Sequence, residues 1–204
     1  ISLGDNNADI ARSVIQTSDG GFLLAGYNII NTEEGSVELV KTDPSGSLEW
    51  SKSLDIQQQD GAYSVIEHSS GGFVTAGWST IDSRSDFYIV KFDSQGNKEW
   101  ERLIGGQNSD IAYSIIELSS GDMLVTGQTN SFGGGSGGII VKIAHNGTIL
   151  PITDLDGNES DYYYFEDTWD EFVMDIVETT NGDIFTAGFK TGSGMSDDSF
   201  WIYK

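Results

Sequence analysis

Short runs of alternating apolar and polar residues, each closed by a turn rich in glycine, serine or aspartate, succeed one another along almost the whole chain. Alternation gives an extended strand two faces, whereas a surface helix needs an apolar residue every three or four positions. No stretch sustains the helical period. Ala62-Tyr63-Ser64-Val65-Ile66-Glu67-His68 reads as a strand, and Ser69-Ser70-Gly71-Gly72 reverses it. Glycine supplies the positive φ that so tight a reversal requires. Residues 73–79 form a second strand, rich in β-branched and aromatic side chains. A polar loop over 80–85 leads to the two-faced run Asp86-Phe87-Tyr88-Ile89-Val90-Lys91-Phe92. Asp93-Ser94-Gln95-Gly96 then turns the chain into 97–103, which carries Trp100. Turn signals return at the spacing expected of an all-β fold.

This four-strand unit occurs four times. Ala11 to Gly26, Ala62 to Gly77, Ala112 to Gly127 and Phe172 to Gly188 align, and each is followed by a lysine: Lys41, Lys91, Lys142 and Lys204. The lysines are 50, 51 and 62 residues apart, so the last copy carries an insertion. The copies cover about 5–55, 56–105, 106–153 and 170–204, with the insertion at 154–169, in one domain over 1–204. Four-stranded antiparallel units of this length predict a β-propeller of four blades, or a fragment of a larger propeller. The pairs Ala25-Gly26, Ala76-Gly77, Thr126-Gly127 and Ala187-Gly188 allow either a close approach of neighbouring sheets or a bulge. Residues 199–204 match a third strand and 1–4 match the end of a fourth, so pairing of the two ends would close the ring and remove its edges. The alternative is an edge that pairs with another subunit, head to tail. A start at Ile1 rather than methionine points to a processed or excised piece.

Asp43-Pro44-Ser45-Gly46-Ser47-Leu48-Glu49-Trp50 and Asp93-Ser94-Gln95-Gly96-Asn97-Lys98-Glu99-Trp100 resemble the Asp-turn-Gly-strand-Trp element of quinoprotein-like propeller repeats. The resemblance runs over the whole chain as a repeat pattern and implies that Trp50 and Trp100 dock against the adjacent blade. The third copy departs from it, with Ala144 for the aspartate and Pro151 for the tryptophan. Quinone binding is not implied, because no copy carries a cofactor pocket and those enzymes are much longer.

Charge narrows the partners. Ten basic against 32 acidic residues give a net charge of −22, which repels nucleic acid and anionic lipid and suits cations, cationic partners or a salty medium. There is no cysteine, hence no disulfide, thiolate metal site or cysteine nucleophile. No apolar run is long enough to insert into a membrane as a helix.

Three groups of residues are candidates for chemistry. Asp9, Asp60, Asp110 and Asp170 stand before the first strand of each copy, and Gln16, Glu67, Glu117 and Glu178 near its end. They form either oxygen rings for a hard cation such as calcium or turn residues and a wetted face. In the insertion, Asp154, Asp156 and Asn158 have the one-three-five spacing of a calcium loop with Asp161 nearby, although Gly157 and Phe165 break the EF-hand pattern. Tyr162, Tyr163, Tyr164, Phe165 and Trp169 then make an aromatic-acidic segment suited to stacking on a glycan or meeting a protein, or to covering apolar surface. The glycine run at 133–138 lacks the helix that a phosphate loop needs. Neither His68 nor His145 sits in a Ser-His-Asp motif.

These features lead to a non-catalytic extracellular or cell-surface module, structural or protein-binding. It would contact protein partners, including itself, through sheet edges or the insertion. The alternatives are a glycan- or protein-ligand-binding propeller and the propeller part of a secreted hydrolase or lyase.

Overall fold

The computed structural model describes residues 8–29, 35–54, 59–132, 136–153, 158–165, 170–191 and 199–203. Every regular element among them is a strand. The chain divides into two compact units, Ile1–Ile104 and Gly105–Lys204.

The first unit holds two copies of the repeat. Strands β1 (Ala8–Gln16), β2 (Phe22–Ile29), β3 (Gly35–Thr42) and β4 (Leu48–Leu54) pair antiparallel in that order. β5 (Gln59–Glu67), β6 (Phe73–Ile81), β7 (Arg84–Phe92) and β8 (Lys98–Ile104) repeat the arrangement. Among the described residues one parallel bridge, Gly35 to Gln59, links the two sets. Apolar residues from both copies form one core between them. Leu23, Ala25, Val37 and Leu39 come from the first, and Ala62, Val65, Phe73, Tyr88, Val90 and Phe92 from the second. Each large side chain so buried contributes about 1.5–3 kcal/mol. Trp50 of the first copy reaches the second, with its ring 6.2 Å from that of Phe73.

In the second unit, β9 (Asp110–Glu117), β10 (Met123–Thr129) and β11 (Gly137–Ile143) form the third copy. Its fourth strand is split. β12 (Ile149–Leu150) pairs with the end of β11, placing Leu150 rather than Pro151 opposite Lys142, where Trp50 and Trp100 face Lys41 and Lys91. The chain then leaves through a small hairpin, β13 (Ile152–Thr153) with β14 (Glu159–Ser160), and returns as β15 (Tyr162–Tyr164) to complete the pairing with β11. Proline cannot donate to a ladder, so the excursion begins where the sequence places one. Among the described residues the fourth copy has three strands: β16 (Asp170–Glu178), β17 (Ile184–Thr191) and β18 (Ser199–Tyr203). Residues 1–4, expected to close the ring beside it, lie outside the described residues.

The alanine-glycine pairs mark a bulge inside each sheet. In every copy the register of the first strand against the second slips by one residue, opposite Gly26, Gly77, Gly127 and Gly188. The residues that the register skips are Arg12, Tyr63, Tyr113 and Met174. A Cβ on Gly77 would lie 1.9 Å from the Gly61 carbonyl oxygen, and Gly26 and Gly127 face the same obstacle. A bulge, not an approach by the neighbouring sheet, is what excludes a side chain there.

The shared lysines are pins. Lys41 is buried and reaches Asp19 at 2.8 Å, Glu49 at 2.9 Å and the Thr42 carbonyl at 2.9 Å, joining the first hairpin turn to β3 and β4. Lys91 repeats this with the Gly71 and Phe92 carbonyls and Glu99. Gly21 and Gly72 leave room for the passing ammonium group, which a Cβ would meet at 2.6 and 2.7 Å. In the third copy Asp122 occupies that position and its carboxylate meets Lys142 at 3.2 Å. The turns into the fourth strands are likewise shared. Asp43 and Asp93 each accept two backbone amides through Oδ1, and the backbone bonds survive where Ala144 replaces the aspartate.

Candidate functional site

The two sets of acidic positions have different tasks. Asp60 and Asp110 are both buried, at 1% exposure. Asp110 Oδ1 accepts from the Thr129 hydroxyl and the Asn130 amide, and its Oδ2 accepts from the Ser131 hydroxyl at 2.6 Å and the Gly106 amide at 3.1 Å. Its carboxylate therefore ties two loops together, as a turn residue does. Asp9 is exposed. At the other end of the strand, Glu67 clasps the first copy: Oε2 accepts the Ser18 amide at 2.6 Å and Oε1 the Ser18 hydroxyl at 2.7 Å. Glu178 does the same to Ser119 of the third copy, at 2.7 and 3.0 Å. In each unit, then, a strand-end glutamate of one copy holds the hairpin turn of the copy before it. Ser114 adds a second link, donating to Asp175 at 2.8 Å. In the first copy the position holds Gln16, whose amide donates to Gly20 of its own turn.

The insertion residues are placed by β15. Phe165 is buried and packs with Leu124, Ile140, Val173 and Ile176, the core between the third and fourth copies, with Tyr163 against it. The Tyr163 and Phe165 rings meet edge to face at 5.0 Å, and Tyr162 lies 4.7 Å from Phe132. Tyr164 lies against Gly137. Tyr162, Tyr163 and Tyr164 are all half-buried, and of these Tyr163 packs with buried Phe165 against the core. Asn158 and Asp161 are exposed; Asp154, Asp156 and Trp169 lie outside the described residues. Among the described residues no three His, Cys, Asp or Glu side chains converge on a metal position.

Two surfaces were not singled out by sequence. The first is the aromatic cluster built on the bulges. Arg12 donates to the Tyr27 hydroxyl at 2.8 Å and lies over the Tyr27 and Tyr63 rings at 5.4 and 5.3 Å. Trp78 contacts both tyrosines, with ring centroids at 4.9 and 4.6 Å. The hydrogen bond to Tyr27 raises the Arg12 pKa, and burial raises that of Tyr63.

The second surface is the leading face of the first copy, the face that in the second copy packs on the copy before it. Val14 is 62% exposed and Phe22 36%, whereas their counterparts Val65 and Phe73 are 2% and 3% exposed. Leu24, Glu38, Val40, Leu48, Ser51 and Ser53 line a cleft of about 430 Å³ in this face. The hollow has a cause in the register. Gly77, Tyr88 and Leu103 lie side by side across the second sheet, and the matching row in the first is Gly26, Glu38 and Ser53. Tyr88 fills its face and donates to Glu101 at 2.8 Å, and burial followed by that bond raises its pKa. Glutamate and serine leave the equivalent space open.

No protein-family model and no curated protein matches the chain. Among the described residues no helix is long and apolar enough to cross a membrane.

Proposed function

We propose that the four copies are β-propeller blades and that the protein is a non-catalytic structural or protein-interaction module of the cell exterior. One observation carries this reading. In both units consecutive sheets meet through a shared apolar core and a serine–glutamate clasp at the same point of the repeat. A repeat that joins its neighbour by the same contacts each time is a building unit, and its surplus faces are what it offers to partners. The carboxylates support a scaffolding role: Asp19, Asp43, Asp93 and Asp110 hold turns or loops, and Glu67 and Glu178 hold neighbouring copies. The charge of −22 suits a salty exterior medium and a partner that screens or neutralises it.

Sedimentation velocity of the full chain, between about 0.05 and 1 M NaCl, tests the assembly part of this reading, because added salt shortens the reach of like-charge repulsion. Species heavier than the 22.1 kDa monomer are expected, increasing with salt. A strict monomer at every salt concentration refutes self-assembly. Release of reducing ends from a polysaccharide, lost on substituting one carboxylate, refutes the non-catalytic assignment.

A further inference from the structure

We infer that the leading face of the first copy is a docking surface for a second copy of this chain, which presents the trailing face of its fourth copy. The inference rests on the blade reading above and names the surfaces through which such blades join between molecules.

The argument is one of equivalence. Inside each unit a trailing face meets a leading face, and the positions are the same in both. On the trailing side, Ile15 pairs across strands with Leu23 and Ile116 with Leu124, and all four pack in the core between copies. On the leading side stand Val65 in the first unit and Ile176 in the second, at 2% and 3% exposure. The fourth copy presents the trailing pair again as Val177 and Phe185, joined in the same register, and Val177 is 54% exposed. The first copy presents the leading valine again as Val14, 62% exposed. Each exposed position is thus the counterpart of one that a neighbouring copy buries.

Size agrees with position. The cleft in the leading face opens where Glu38 stands in place of Tyr88, which fills the second sheet. The fourth copy carries phenylalanine, Phe185, where the first and third carry Leu23 and Leu124. The trailing face has gained a larger side chain where the leading face has lost bulk. The clasp is milder at this junction: Gln16 replaces the glutamate, and Thr180 replaces the turn serine. An amide oxygen still accepts from a hydroxyl and a backbone amide, without adding charge to a contact between two strongly acidic molecules. Contacts that join a face to a different face do not close on themselves in a pair, so the product is a chain or ring of copies.

Single-cysteine crosslinking tests this, since the protein has no cysteine of its own. Val14→Cys and Val177→Cys chains, one lengthened by a tag, are mixed and oxidised gently at low and high salt. Both positions are exposed, so neither change disturbs a core. The mixed disulfide should exceed either homodimer by about tenfold, because the matched faces bury apolar side chains that mismatched faces leave wet. It should also increase with salt. A dominant Val14→Cys homodimer overturns the inference, since the face would then pair with itself. Equal yields of all three products, or no product, overturn it as well. The blade reading is judged separately by the Ser18–Glu67 coupling described below: coupling without the mixed disulfide removes the docking surface and leaves the blades.

Discussion

Alanine at Gly77 puts the bulge to a quantitative test. The added methyl would lie 1.9 Å from the Gly61 carbonyl oxygen and 2.8 Å from the Ala62 Cα. Both are backbone atoms of the paired strand, so no rotamer change relieves the conflict. Ordinary contact near about 3.5 Å requires the strands to part by more than about 1 Å, and the ladder bonds beside the Gly77–Ala62 pair break. Two amide bonds lost in a buried sheet, with their groups left unmet, cost about 3 kcal/mol. Gly71→Ala is the control. Its φ of +95° is strained for alanine, but nothing lies within 4 Å of the new atom, so about 1 kcal/mol is expected. Urea unfolding followed by the fluorescence of the five tryptophans measures both. With a slope of about 2 kcal/mol per molar, the midpoint should fall by about 1.5 M for Gly77→Ala and about 0.5 M for Gly71→Ala. Equal shifts would show that backbone approach at the bulge is not what selects glycine, and the reasoning would fail.

A double-mutant cycle of Ser18→Ala and Glu67→Ala in urea unfolding should give a coupling of about 0.5–1 kcal/mol, small because the pair is exposed; strict additivity would deny the clasp. Phe165→Ala should cost about 3–4 kcal/mol as a buried aromatic is lost, whereas Asn158→Ser, exposed in the same insertion, should stay within about 0.5 kcal/mol. A Phe165→Ala protein as stable as the parent would take that ring out of the core. Acid should weaken the turns in a defined direction. The bond to the Ser45 hydroxyl, followed by backbone amides, lowers the Asp43 pKa below its usual 3.8, and bonds to Asn97 lower that of Asp93. Bonds to Lys41 lower Asp19 further. Their contribution is whole above the unfolded value and disappears as pH falls through the lower folded values. The midpoint difference between parent and Asp93→Ala should therefore be constant at neutral pH and close below pH 3.8. A difference that persists unchanged into stronger acid would show that ionisation of Asp93 is not what holds the turn.

Periodicity exposed the strands because a pleated strand reports its two faces directly in the sequence, as in the run from Asp86 to Phe92. The repeat was visible for the same reason, since the same turn and the same lysine recur in each copy. The lysine's partners were not visible. Asp19 and Glu49 lie on either side of Lys41 in sequence and come together only when β2, β3 and β4 are side by side. The insertion misled in part: its aromatics look available in sequence, but β15 carries Tyr163 and Phe165 into the core by taking over the fourth strand of the third copy. The clasp had a faint signal, a turn serine in one copy and a strand-end glutamate in the next, and a copy-by-copy alignment read across neighbouring repeats would have suggested it.

Local chemistry alone determined that this chain is made of strands, where it turns, and that four copies share one plan. Those properties depend on neighbours in sequence, because the pleat and the tight turn are set by a few consecutive residues. Tertiary structure decided which acids are buried, which glycines a bulge demands and which apolar faces remain exposed. Val14 and Val65 occupy the same place in the repeat, yet only Val65 is covered, because burial belongs to what lies opposite a residue and not to the residue itself.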